Sequence, residues 1–127
     1  MRTNEIVTAT ARIRNDEGGF VRVTLLPGAV QTLVEAKEEM KALSAITEGE
    51  TFVMLVDIRG VKSQTREARA HITENGAKNA RAAAILVASP TSRVIGNFFM
   101  MLVRLPIPTR MFTSEADAIA WLREFPA

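Results

Sequence analysis

The sequence predicts an α/β domain with a mixed, mostly parallel sheet and about four helices, in the order β-β-α-β-α-β-α-β-α. Three observations carry this. Residues 51–57 and 83–88 are near-continuous apolar runs of strand length, the pattern of strands covered on both faces, as in a parallel sheet. Helix-start chemistry follows each run: Ser63 or Thr65 after the first, and Ser89 with Pro90 after the second. Ahead of both, two alternating segments flank Asn15-Asp16-Glu17-Gly18-Gly19, whose glycines suit a hairpin turn.

Taken in order, residues 6–14 alternate, with Ile6, Thr8, Thr10 and Arg12 on one side and Val7, Ala9, Ala11 and Ile13 on the other. The second arm runs from Phe20 to Leu26 and ends at Pro27-Gly28. Residues 29–46 carry helical spacing: Leu33, Ala36, Met40 and Leu43 form the inward stripe, while Glu35, Glu38, Glu39 and Lys41 fall mostly opposite. The apolar run 51–57 places Asp57 at its carboxyl end, and residues 58–62 read as a loop before a short charged helix that ends near Gly76. After the 83–88 strand, residues 90–104 form a helix that Leu105-Pro106-Ile107-Pro108 cannot continue. Residues 109–112 are left as a short edge strand. Ser114, with Asp117 three residues on, approximates a capping box for the last helix, whose Ala118, Trp121, Leu122 and Phe125 face the sheet.

The 127 residues fit one domain, spanning 1–127, and a chain of this size buries about two-thirds of its unfolded surface. A composition of 47% hydrophobic and 24% charged residues is that of an ordinary globular protein. With no cysteine there is no disulfide, thiolate metal site or thiol nucleophile, and the polar N-terminus lacks a signal-peptide core, so a cytoplasmic location is expected. The most apolar stretch, 94–105, is interrupted by Gly96, Asn97 and Arg104 and falls short of the roughly 20 residues a spanning helix needs. Despite a pI of about 9.5, the net charge is only +2 and no basic block exists, which argues against nucleic-acid binding.

The runs Val56-Asp57-Ile58-Arg59-Gly60-Val61-Lys62-Ser63, Arg66-Glu67-Ala68-Arg69, Ser89-Pro90 with Arg93-Val94-Ile95-Gly96-Asn97-Phe98-Phe99, and Pro108-Thr109-Arg110-Met111-Phe112-Thr113-Ser114 with Ala118-Ile119-Ala120-Trp121-Leu122 are the most distinctive in the chain. Together they resemble a STAS/SEC14-like bacterial family of uncharacterised function. The resemblance covers roughly residues 50–125 and implies the SpoIIAA-like fold of anti-sigma-factor antagonists. In that wider group a serine just after a strand, in a motif like Asp-Ser-Ser-Gly, is phosphorylated by a partner kinase. Here the place reads Lys62-Ser63-Gln64-Thr65, without the acidic residue, the serine pair or the glycine. Ser63 and Thr65 are therefore candidate phosphoacceptors, with helix capping as the simpler role.

Catalytic chemistry has few candidates, and the chain is not expected to be an enzyme. His71 is the only histidine and has no second ligand at metal spacing, so neither a metal nor a cofactor is expected. Asp57 lies on the edge where α/β folds place ligands, but bonding its own loop or pairing with Arg59 or Arg66 explains it as well. Ser89, Thr91, Ser92 and Arg93 form the best candidate anion site, though they lack a glycine-rich cradle and capping alone accounts for them. The helix at 94–103 is apolar all round over 98–103, which leaves a face with no obvious core to fill. Val94, Asn97, Phe98, Phe99, Met101 and Leu102 are accordingly the candidate interface or apolar-ligand face. The expected function is a regulatory protein-interaction domain, a homodimer that engages a protein partner. The alternative is an apolar-ligand or lipid module, holding its ligand in a cavity of a few hundred Å³ between the 98–105 helix and the sheet.

Overall fold

The structure, a computed structural model, describes residues 4–76, 78–89 and 105–126. Its strands are β1 (Glu5–Val7), β2 (Ala11–Asn15), β3 (Val21–Leu25), β4 (Ala29–Gln31), β5 (Phe52–Asp57), β6 (Val61–Gln64), β7 (Ala80–Leu86) and β8 (Thr109–Phe112). The described helices are α1 (Leu33–Thr47), α2 (Arg66–Asn75) and α3 (Glu115–Leu122). The helix expected at 90–104 lies outside the described residues.

Six strands form one sheet in the order β1-β2-β3-β5-β7-β8, antiparallel through β3 and parallel from β3 onward. Alternate residues of its central strand enter two separate cores, as the unbroken apolar run predicts. Phe52 and Met54 pack toward α1 with Ile13, Val23, Leu25, Leu43, Ile46 and Ile85. Val53 and Leu55 pack on the opposite side with Phe20, Ala84, Leu86 and the α3 residues Ala118 and Leu122.

Four local expectations change. The segment 6–14 is not one strand, because Thr8 turns the chain back. Its Oγ1 accepts from the Ala11 amide at 3.0 Å while its own amide donates to Ala11 O at 2.8 Å. The register then sets Ile6 opposite Ile13, so two residues assigned to different sides share the core face, and Val7 is left 55% exposed. Second, residues 29–31 are strand. The helix starts only after Thr32, whose amide and hydroxyl both donate to Glu35 Oε1 at 2.8 Å. Third, β6 begins inside the expected loop and runs on through the expected helix start, pairing in parallel with β4 as a separate two-stranded sheet. Ser63 lies in that strand, and Thr65 is the cap of α2, its Oγ1 accepting from the Ala68 amide at 3.2 Å. Fourth, Glu39 belongs to the buried side of α1 and is only 5% exposed.

The edge strand at 109–112 and the Ser114 cap stand as expected, with Ser114 Oγ accepting from the Asp117 amide at 3.3 Å. Gly76 ends α2. A Cβ there would lie 2.7 Å from Ile72 O, so only glycine allows the chain to close onto the helix end.

Candidate functional site

Two consecutive units of the chain are built alike. β3 leads through Gly28 to β4, then Gln31, the Thr32 cap and α1; β5 leads through Gly60 to β6, then Gln64, the Thr65 cap and α2. The second unit has one extra residue, absorbed by a register shift between Ala29 and Val30, so that Val30 opposes Ser63 and Gln31 opposes Gln64. The Gly28 amide donates to Gly60 O at 2.8 Å and the Thr65 amide to Gln31 O at 2.9 Å. The two helix starts are thereby held side by side. Both units end in Gln-Thr, a repeat visible in the sequence that pattern reading by period missed.

The outer surface of this ledge combines apolar and polar groups. Among the described residues the exposed large hydrophobics are Val7, Val30 and Val34; Val30 stands on β4 and Val34 on the first turn of α1. Lys62, Ser63 and Arg66 are exposed beside them and Thr65 is half-buried. Neither Lys62 nor Arg66 forms an ion pair among the described residues.

Beneath the ledge the packing is polar. Buried Gln31 donates through Nε2 to Thr10 Oγ1 at 3.2 Å and to Glu39 Oε1 at 2.6 Å, and its Oε1 accepts from Gln64 Nε2 at 2.9 Å. Burial pushes the Glu39 carboxyl up to about 7, only partly opposed by the hydrogen bond from Gln31.

At the carboxyl edge of the sheet, Asp57 meets the expected partner. Arg59 donates to it through Nε at 3.0 Å, Nη2 at 2.8 Å and its backbone amide at 3.0 Å. Burial works to raise the Asp57 carboxyl, but the Arg59 bonds outweigh it and hold the group below its ordinary value. On the same face Arg22 links Asp16 at 3.0 Å to Glu115 at 2.7 Å, tying β3 to α3. His71 is half-buried in α2 beside Asn75 and lines an open groove with Lys37, Lys41 and Lys78. No group of three potential metal ligands occurs among the described residues. Of the candidate anion site, Ser89 follows β7, whereas Thr91, Ser92 and Arg93 lie outside the described residues. So do Val94, Asn97, Phe98, Phe99, Met101 and Leu102, the candidate interface face.

A family model described as Domain of unknown function (DUF7793) matches residues 14–126. The chain belongs to this family. No curated protein matches it. Among solved structures, the DUF7793 domain is similar to an uncharacterized DUF3478-family protein with a SpoIIAA-like fold from Shewanella loihica PV-4. That likeness has a TM-score of 0.61 at 16% identity, over 96% of this chain and 98% of that one. It is similar, with a TM-score of 0.63 at 13% identity, to an anti-sigma factor antagonist from Mycobacterium paratuberculosis, over 90% of this chain and 93% of that one. A protein of unknown function from Arthrobacter sp. FB24 is 30% identical over 89% of this chain and 99% of that one, with a TM-score of 0.35. The first two likenesses show the SpoIIAA-like fold that the sequence implied.

Proposed function

We propose that this DUF7793 domain is a non-catalytic regulatory module that acts through protein contacts and works as a homodimer. The observation that carries the reading is the ledge. Two parallel strands and two helix starts present exposed Val30 and Val34 beside Lys62 and Arg66, which form no ion pair among the described residues, a surface suited to a partner with apolar anchors and an acidic rim. The charged groups best placed to serve chemistry instead, Asp16, Asp57, Arg22 and Arg59, are engaged with one another or with Glu115. Homodimerisation rests on the all-round apolar character of residues 98–103 in the sequence.

The test separates the two contacts. Sedimentation over a wide concentration range should give a native dimer that Phe99→Glu converts to a folded monomer, with Val30→Glu leaving the dimer intact. A photo-crosslinking residue at position 34, in the native host, should then trap one protein, and Val30→Glu should abolish the product. A native monomer removes the homodimer, and no specific crosslink removes the ledge as a partner surface. Mass spectrometry of protein from that host, finding Ser63 and Thr65 unmodified, would remove a phosphorylated form.

The lipid-binding alternative has less support. Its expected site, between the 98–105 helix and the sheet, lies mostly outside the described residues, and the apolar cavity that the described residues border measures about 40 Å³, room for one or two waters.

A further inference from the structure

The polar cluster beneath the ledge has no part in the partner surface, yet it is the most unusual feature of the interior. Gln31 is fully buried and Glu39 nearly so, at the junction of β4, α1, β6 and the β1–β2 turn. Each amide hydrogen of Gln31 that faces the cluster is spent, on Thr10 and on Glu39. Gln64 donates to Gln31, but its own Oε1 is buried with no partner among the described residues. Glu39 and Gln64 both border the 40 Å³ cavity, whose other walls include Val23, Met40 and Ile72.

The cluster is thus one donor short. A carboxylate accepts only, so an ionised Glu39 adds a further acceptor to a site that already has an orphan. Reversing the Gln31 and Gln64 amides together does not relieve this, because Gln31 Oε1 would then face Glu39 and itself need a proton between them. Nor does a cation neutralise the carboxylate among the described residues. On α2, Arg69 donates to Gln64 O at 2.7 Å, His71 sits beside Asn75, and Arg66, Glu67 and Glu74 are exposed. On α1, Glu35 holds Thr32, and Lys37, Glu38 and Lys41 are exposed. Arg12, Arg14 and Glu5 lie on the other face of the sheet, and β4 carries no charge.

We propose that Glu39 and Gln64 form a proton-binding site. Glu39 is a carboxylic acid in the folded chain, and its O–H supplies, through a water in the cavity, the donor that Gln64 Oε1 lacks. The proton is taken from solvent as the cluster closes and returns to solvent when Glu39 ionises. Gln31 and Gln64 immediately precede the caps Thr32 and Thr65, so loss of the proton loosens both helix starts and makes their junction sensitive to pH near neutrality. The raised Glu39 value agrees with this geometry. The site does not depend on the partner reading.

The carboxyl carbon of Glu39, followed by NMR in the isotopically labelled native chain and assigned by the signal lost in Glu39→Gln, should titrate near 7. A Glu39 midpoint in the ordinary range near 4.5 overturns the proposal. In parallel, the unfolding equilibrium constant of the native chain should rise by roughly two orders of magnitude from pH 4.5 to well above pH 7 from this group, while Glu39→Gln, which keeps an amide donor in place of the acid, should lose that rise. Amide exchange at Gln64 and Thr65 should accelerate over the same range in the native chain beyond the intrinsic effect of pH. Identical pH profiles in the native and substituted chains overturn the proposal even where both fold.

Discussion

Asp57 and Arg59 stand two residues apart in the sequence, and their pairing is the most local interaction in the candidate region. The spacing made it available, since a strand end followed by a tight turn brings the guanidinium back over the carboxylate. Arg59 is half exposed, so solvent screening keeps the pair weak: Arg59→Ala should cost roughly 0.5–1 kcal/mol in chemical denaturation at neutral pH. The sign of the pH effect follows from the direction of the Asp57 shift. A carboxyl held below its ordinary value stabilises the fold above the unfolded value, and that stability disappears as pH falls through the folded one. Acid unfolding of Arg59→Ala should therefore begin at higher pH than that of the native chain, and coincident curves would show the pair to be inert. Glu39 shows the opposite sign and was not legible by period, because a single polar residue on the inward side of an amphipathic helix looks like noise until Gln31 is seen to meet it and Gln64 to meet Gln31.

At the scale of elements, strands and caps were read well wherever local chemistry decides them. The unbroken run at β5, the Gly18-Gly19 turn, the proline-bounded β8 and the Ser114 cap all took their expected form. The short strands β4 and β6 were missed, since three or four residues with mixed polarity have no period to detect. They exist because two neighbouring crossovers of similar sequence rise side by side and satisfy each other's backbone groups. The crossovers approach closely at Gly60, where a Cβ would lie 3.1 Å from Leu25 O and from the Pro27 backbone. Gly60→Ala should therefore lower stability by about 1–3 kcal/mol, by forcing main chain apart at a site without flexible side chains to yield. A variant as stable as the native chain would mean that the two crossovers move independently.

For the whole molecule, the two cores draw on alternate residues of β5 and β7, one closed by α1 and the other by α3. Among the described residues no boundary separates them, and we propose that the chain unfolds as one unit. Thermal unfolding followed by Trp121 fluorescence, which reports the α3 side through its contacts with Phe112 and Phe125, should coincide with far-ultraviolet circular dichroism. Separate transitions would show that the α3 layer unfolds on its own. The sequence by itself determined the class of fold, because apolar runs, turn residues and caps act over a few residues and are written consecutively. Only the tertiary structure decided where Ile6 folds back, how β4 finds β6, and that Thr10, Gln31, Glu39 and Gln64 converge. Those outcomes depend on groups as far apart in the chain as Thr10 and Gln64 sharing one buried space, and no local pattern encodes the cost of leaving such groups unsatisfied.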